Sequence, residues 1–312
     1  MKLRNLAEAG LSEEAVAAFR SLTDHEGAVR AARLGGLTNR VYRVETDDGI
    51  FVVRLPGEGT EAYIDRQVEA ANTQAAARAG VSPELVKADP LSGLMLTRFA
   101  EGRTMTADLF KTLPGAPSRA ALALRKLHSS GETFQFRFEL FAMIESYMKL
   151  LGESGADLPD GYHEALAQAE DVLAALDAHP ATLAPCHCDP LCENFIDDGA
   201  RMWMVDWEYS GMNDPLWDLG DLSVEGAFGP REESEMLRAY FGRAPTAAEE
   251  GRVVLYKAMC DLLWTLWGLI QHANNNPADD FWGYATGRFE RCKALMQSDG
   301  FEACVEAVRS GQ

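Results

Sequence analysis

Positive charge is scarce in this sequence of 312 residues, which has 29 lysines and arginines against 48 acidic residues and a formal net charge of −19. A surface of that sign repels nucleic-acid backbones and anionic lipid headgroups. The composition therefore predicts no binding to nucleic acid. It is compatible with a small cationic substrate.

Long apolar runs are also rare. The N-terminal residues MKLRNLAEAGLSEEAV lack the apolar core of a signal peptide. Residues 253–270 come closest to a membrane span, but Lys257 and Asp261 interrupt them, whereas a spanning helix needs about 20 predominantly apolar residues. We expect a buried helix there, no membrane insertion, and a cytoplasmic protein whose six cysteines are reduced.

The first hundred residues combine strand and helix patterns. The runs VYRVET and IFVVRL flank the hairpin dipeptide Asp48-Gly49. An alanine-rich helical pattern follows and stops at Gly80, and residues 93–98 form another strand pattern. Ser12, followed by two glutamates, predicts an earlier helix start.

The rest of the chain is mainly helical in pattern. Helical patterns cover 118–129, 138–151, 161–178, 231–241, 246–273 and 280–297. Two strand-like pieces, at 194–197 and 202–206, flank a second Asp-Gly turn. The sequence thus predicts an α+β fold with a small N-terminal antiparallel-sheet lobe, residues 1–99, and a larger helical lobe, residues 100–312.

The stretch HCDPLCENF, residues 187–195, carries the pattern H-x-D-x-x-x-x-N. This is the spacing of the catalytic loop in protein kinases. There the aspartate meets the hydroxyl that attacks the γ-phosphate, and the asparagine holds a metal ion. The pattern predicts Asp189 as the catalytic base, Asn194 as a metal ligand and His187 as a buried support of the loop.

A second acidic motif, MVDWEYSG, follows across the predicted hairpin. Asp206 ends its apolar strand and is placed to bind Mg²⁺, which prefers oxygen ligands and few carboxylates. Glu208 could bind a second ion, directly or through water. Asp218, at a predicted helix start, could accept hydrogen bonds from the backbone of the catalytic loop.

A nucleotide clamp is predicted in the first lobe. A glycine-rich turn precedes its first hairpin strand, and glycine lets the backbone approach phosphate oxygens. This turn contains Gly35, Gly36, Thr38 and Asn39. Arg54 stands on the second strand, where protein kinases have a lysine, and Glu69 on the next helix is its expected partner.

Two other interpretations of the central loop are open at this point. Cys186, Cys188 and Cys192 surround His187, but the spacing C-x-C-x₃-C matches none of the usual structural zinc patterns. A catalytically silent binding protein on the same fold would have lost Asp189, Asn194 or Asp206, and all three are present.

Over roughly residues 30–295 the sequence resembles the choline/ethanolamine kinases, within the aminoglycoside-phosphotransferase-like superfamily. The segments that carry the resemblance are GGLTNRVYRV, VVRLPGEGTEAYIDRQVEAAN, HCDPLCENF, VDWEYSG, LLWTLWGLIQHANN and FWGYATGRF. The resemblance implies a protein-kinase-like fold, use of ATP and Mg²⁺, and transfer of the γ-phosphate to the hydroxyl of choline or a related amino alcohol.

The same resemblance implies a pocket for the ammonium head. It would consist of Tyr209, Trp264, Trp267 and Tyr284. Trp264 and Trp267 share a helix face at i, i+3, and each indole attracts a desolvated quaternary ammonium by about 0.5–2 kcal/mol. A tryptophan pair at this spacing also occurs in ordinary cores. Ethanolamine, thiamine, an aminoglycoside or a sugar are the alternative acceptors, and the sequence leaves the oligomeric state open.

Overall fold

The computed structural model describes residues 12–35, 39–57 and 64–311. Within them, the N-terminal lobe is a five-stranded antiparallel sheet of order β1-β2-β3-β5-β4. Its strands are β1 Arg30–Arg33, β2 Arg40–Thr46, β3 Gly49–Leu55, β4 Leu85–Asp89 and β5 Leu94–Arg98. The hairpin of β2 and β3 is present, but Thr46 pairs with Gly49, so the turn lies one residue before the predicted Asp48-Gly49.

Two helices accompany this sheet. Helix α1, Glu13–Leu22, begins at the predicted cap Ser12, and Phe19 packs against Phe51 in the core of the sheet lobe. Helix α2, Arg66–Arg78, begins at the cap Asp65 and ends just before Gly80. Glu69 therefore lies in the first turn of α2.

The C-terminal lobe is built from helices around one long central helix. They are α3 Ala107–Thr112, α4 Ala116–His128, α5 Leu140–Ser154, α6 Tyr162–Ala178, α7 Pro215–Glu225, α8 Pro230–Phe241, α9 Ala247–Ala273, α10 Phe281–Met296 and α11 Phe301–Ser310. Helix α9 packs against α5, α7, α10 and α11. It is long and apolar enough to cross a membrane, but 83% of its apolar stretch is buried inside the protein, as expected for a core helix.

Short strands join the lobes and carry the central loop. They are β6 Arg103–Thr104, β7 Ala184–Cys186, β8 Phe195–Asp197, β9 Met202–Met204 and β10 Gly211–Asn213. Strands β6, β8 and β9 form one small antiparallel sheet, and β7 pairs with β10. Two segments emerge between these strands: residues 187–194, which end in a 3₁₀ turn, and residues 205–210.

The predicted α+β architecture, with a small antiparallel-sheet lobe and a larger helical lobe, is confirmed. The predicted helices and both hairpins are present, with ends shifted by a few residues. The sequence patterns do not predict strands β1, β4, β6, β7 and β10 or helices α3 and α11. All of these except α11 have six residues or fewer. The side chains of Ala75 and Ala76 on α2 belong to the large core of the helical lobe, so this helix packs against both lobes.

Candidate active site

The loop of residues 187–194 is held at its start by helix α7. The carboxylate of Asp218 accepts hydrogen bonds from the backbone N–H groups of His187 and Cys188, both at 2.8 Å. The indole N–H of Trp217 donates to the carbonyl of Cys188 at 3.0 Å. Cys188 has φ +65°, a backbone conformation that non-glycine residues adopt only when their surroundings impose it. These bonds impose it and so fix the direction of Asp189.

The asparagine of the loop joins Asp189 to the strand that precedes Asp206. Its side-chain N–H donates to the carbonyl of Asp189 at 3.0 Å, and its own carbonyl accepts from the N–H of Val205 at 3.0 Å. The amide oxygen of Asn194 is left over for a ligand, because the amide nitrogen makes the loop contact. The structure therefore brings Asp189, Asn194 and Asp206 together.

Asp206 presents a carboxylate to this junction. It has φ +67°, and its side chain is 34% exposed. Its Oδ1 atom has no hydrogen-bond partner and lies 3.8 Å from the guanidinium of Arg54. Carboxylate oxygens of Glu69, Asp206 and Glu208 all lie within 4.8 Å of one another. This oxygen-rich group fits Mg²⁺.

The predicted cation on β3 and acid on α2 form a buried pair. Both terminal nitrogens of Arg54 donate to the two carboxylate oxygens of Glu69, in the bidentate geometry that arginine favours. Burial by itself lowers the pKa of Arg54, but the charge and hydrogen bonds of Glu69, together with the charges of Asp206 and Glu208, outweigh burial, so the net shift is upward. Burial likewise raises the pKa of Glu69, but Arg54 reverses this effect. The two groups are thus fully charged in the fold.

Glu208 is braced from two sides. Its Oε2 atom accepts from Asn39 at 3.1 Å and from Arg66 at 3.2 Å, and Arg66 also donates to Glu69 at 2.9 Å. Burial, and next the charge of Asp206, raise the pKa of Glu208 to about 7. A bound divalent cation would favour the charged form.

The glycine-rich turn is only partly described. Gly36 and Thr38 lie outside the described residues. Gly35 is described, and nothing lies within 4 Å of the place where a side chain on it would begin. The side chain of Asn39 is buried, and its oxygen accepts from the N–H of Gly57 at 3.1 Å while its nitrogen holds Glu208. The Asn39 side chain is thus held by Gly57 and Glu208, and its contact with a nucleotide stays a prediction. It links the turn to the acidic group.

Two acids that the sequence reading missed lie beside Asp189. Burial, and then the charges of Asp221 and Glu225, raise the pKa of Asp189 well above its usual range, with smaller contributions from Asp206 and Glu208. Asp218, Asp221 and Glu225 occupy positions i, i+3 and i+7 of α7, so they share one helix face. That periodicity is visible in the sequence and could have identified them.

The predicted aromatic residues form two edge-to-face pairs along α9. Tyr209 packs on Trp264 at 5.2 Å between ring centroids, and Tyr284 packs on Trp267 at 5.7 Å. Trp264 is buried, whereas Trp267 and Tyr284 are half-buried. Arg288 stacks on the ring of Tyr284 and donates to Glu225. Aromatic faces and acids therefore lie close to Asp189.

His187 is buried and has the position of a loop support. Its Nε2 atom lies 2.9 Å from the carbonyl of Val205, its ring packs on Trp207, and burial lowers its pKa. Burial raises the pKa of Cys186, Cys188 and Cys192, so all three stay as thiols. In the part of the chain that the structure describes, these cysteines and His187 do not gather into a group that could bind zinc.

We expect Asp218→Ala to destabilise the protein strongly. The substitution leaves the buried N–H groups of His187 and Cys188 without an acceptor. It also removes the partner of His128, whose Nε2 atom lies 2.9 Å from the same carboxylate. The expected loss in free energy of unfolding is about 3 kcal/mol or more. Urea unfolding measures it, with the exposed Asp177→Ala as the control. A loss below about 1 kcal/mol, the size of one ordinary hydrogen bond, would contradict the role given to Asp218.

Comparison with known proteins gives one family model and several close structures. The model of the phosphotransferase enzyme family matches residues 30–256. A choline/ethanolamine kinase family protein from Mesorhizobium loti is 56% identical, with a TM-score of 0.89 over 96% of this chain and 99% of that one. The choline kinase LicA from Streptococcus pneumoniae is 30% identical, with a TM-score of 0.73 over 87% and 94%. A structure of LicA in complex with AMP is 27% identical, with a TM-score of 0.72 over 91% and 96%.

Proposed function

Because this chain belongs to the phosphotransferase enzyme family and, within it, to the choline/ethanolamine kinases, we propose that it transfers the γ-phosphate of ATP to the hydroxyl of choline. That it is a phosphotransferase with an alcohol group as acceptor follows from this membership. We also propose ATP as the donor, Mg²⁺ as the metal ion and a cytoplasmic location. The AMP complex of LicA supports the use of an adenine nucleotide.

One observation carries the proposal: Asp189 lies between an acidic group suited to a metal and a cluster of aromatic rings and acids. Asn194 and Asp206 adjoin it on one side. Asp221 and Glu225 act on its charge from α7, where Trp264 and Arg288 contact them. A phosphate donor on the first side and a cationic alcohol on the second would meet at the Asp189 carboxylate.

Phosphoryl transfer needs a cation that contacts the phosphates, a metal site and a base. Arg54, oriented by Glu69, contacts phosphate oxygens at the edge of the sheet lobe. Mg²⁺, when bound through the amide oxygen of Asn194 and the carboxylate of Asp206, would neutralise charge on the phosphates. Asp189 accepts the proton of the attacking hydroxyl. Its raised pKa in the free enzyme falls as cations enter the site, and the group becomes the base.

The acceptor site suits a cation that carries methyl groups. Indole and phenol rings attract a quaternary ammonium through their faces and need no N–H donor from it. Ethanolamine is the second candidate because Glu225 offers an acceptor close to Tyr284, although Arg288 already binds it. A sugar or an aminoglycoside would need many hydrogen-bonding groups, which the rings do not supply.

A panel of acceptor alcohols tests this proposal. Wild-type protein is assayed for ADP formation with choline, ethanolamine, thiamine, an aminoglycoside and a hexose, in Mg²⁺ and in excess EDTA. We expect choline to give the highest kcat/KM, at least about tenfold above ethanolamine, as one or two cation–π contacts allow. EDTA should abolish turnover. Preference for the sugar or the aminoglycoside, or full turnover in EDTA, would overturn the proposal.

A further inference from the structure

Asp221, on the inner face of α7, is a fully buried acid without a basic partner. Every other buried acid in residues 12–35, 39–57 and 64–311 has a basic side chain within 4.0 Å. These pairs are Glu69 with Arg54, Asp197 with Arg119, Asp214 with Arg252, Asp218 with His128, Glu232 with Arg231 and Asp261 with Arg288. A buried carboxylate that lacks such a partner normally costs stability, so its presence needs a reason.

The hydrogen-bond donors to Asp221 are neutral. The thiol of Cys260 donates to Oδ1 at 3.0 Å, and the indole N–H of Trp264 donates to Oδ2 at 3.5 Å. Arg288 is the nearby cation, but its terminal nitrogens donate to Glu225 and Asp261 instead. The fold therefore surrounds Asp221 with polar partners and no paired base. Burial raises the pKa of Asp221 well above its usual range, and a cation that binds nearby favours its charged form.

The position of Asp221 connects it with the acceptor site. It lies behind Trp264, whose ring forms the edge-to-face pair with Tyr209. An indole whose N–H donates to a carboxylate is polarised, so its face becomes more negative and attracts cations more strongly. Among neighbouring charged groups, Asp221 has the strongest effect on the pKa of Asp189. The unbalanced charge is thus close to both the aromatic pair and the proposed base.

We propose that Asp221 is the specificity-determining charge of the acceptor site: through the indole of Trp264 it selects a permanently charged, methylated ammonium. This inference rests on the proposed function. Asp221 has no exposed surface, so a substrate N–H cannot reach it, whereas its electric field reaches the pocket. A primary ammonium would gain the charge attraction but would need acceptors for its N–H groups, and the carboxylate of Glu225 already binds Arg288. A trimethylammonium group has no such requirement.

The test compares choline with 3,3-dimethylbutan-1-ol, its uncharged analogue of the same shape, in wild type and Asp221→Asn. For choline, we expect KM to rise about tenfold, the pattern of lost ground-state binding. Because Asp221 also acts on Asp189, kcat can change as well, but by the same factor for both alcohols. For the neutral alcohol, KM should not change. An equal rise for both alcohols would assign Asp221 a merely structural role, and an unchanged KM for choline would overturn the inference.

Thermal unfolding gives a second readout. Asn removes an unpaired buried acid. Its amide oxygen can still accept from Trp264, and its amide nitrogen can donate to the sulfur of Cys260. The Tm of the free variant should therefore not fall, whereas the rise in Tm produced by saturating choline should shrink. A fall in Tm together with an unchanged shift from choline would contradict the proposal. The matched control is Cys260→Ala, which removes the other donor but keeps the charge and should keep the preference for choline over the neutral alcohol.

If Asp221→Asn does not fold, Trp264→Phe takes its place. It keeps an aromatic ring but removes the N–H that contacts Asp221, so choline should lose more in kcat/KM than the neutral alcohol. Equal losses would overturn the inference. A wild-type protein that phosphorylates neither alcohol would overturn the proposed function and this inference together. A wild type active on choline with an unaffected Asp221→Asn would overturn this inference alone.

Discussion

Asp189→Asn is expected to reduce kcat by about 10²–10⁴-fold, the usual contribution of a positioned general base. The substitution keeps the shape of the side chain. The loop contacts of Asn194, His187 and Cys188 go to backbone groups and to Asp218, so they persist. KM for choline should therefore change little. Steady-state assays of ADP and of the phosphorylated alcohol measure both constants.

The matched control for that variant is Asp198→Asn. Asp198 is an exposed acid on the turn between β8 and β9 and accepts hydrogen bonds from the N–H groups of Ala200 and Arg201. It lies in the same part of the chain but outside the site, and its substitution should leave kcat unchanged. An Asp189→Asn enzyme within about tenfold of wild type would show that Asp189 is not the base.

Asp206→Asn is expected to lower kcat/KM by about 10²–10³-fold and to raise the Mg²⁺ concentration needed for half-maximal rate. The carboxylate has a free Oδ1 atom beside the oxygens of Glu69 and Glu208, and an amide there lacks the charge that holds a divalent cation. Titration of the rate with MgCl₂, at saturating ATP and choline, separates weaker metal binding from slower chemistry.

Glu208→Gln is the informative comparison for Asp206. Because Asn39 and Arg66 already occupy one oxygen of Glu208, we expect a smaller effect on the Mg²⁺ requirement than for Asp206→Asn. If Asp206→Asn leaves the Mg²⁺ dependence unchanged, Asp206 is not a ligand. If Glu208→Gln has the larger effect, the assignment of the principal ligand must be exchanged between them.

Much of the fold could be predicted because its elements are specified locally. Ser12 caps α1, and the Asp-Gly turn marks the hairpin of β8 and β9. The strands β7 and β10 could not be predicted in this way. Each has only three residues, and β7 contains Pro185, so the pairing of β7 with β10 comes from tertiary packing rather than from strand propensity.

The site could be predicted where its residues lie at fixed intervals in the sequence. The intervals between Asp189, Asn194 and Asp206 follow from one loop and one hairpin, and the structure places the three together. The environment of Asp221 is different in kind. Its lack of a basic partner depends on where α9 and α10 direct Cys260 and Arg288, and sequence spacing alone does not give that information. The two bonds of Asn39 likewise became visible only with the packing of Glu208.

Arg66 connects helix α2 with a part of the chain 142 residues further on. It donates both to Glu69 on its own helix and to Glu208, which follows β9. Asn72 on the same helix donates to the carbonyl of Ser210 at 2.9 Å. Substitution of Arg66, Glu69, Glu208 or Asn72 alone would leave a buried charge or polar group without its partner. We therefore expect these positions to change together among related proteins. Chimeras that join the first hundred residues of one relative to the remainder of another should work only when this matched set comes from a single parent.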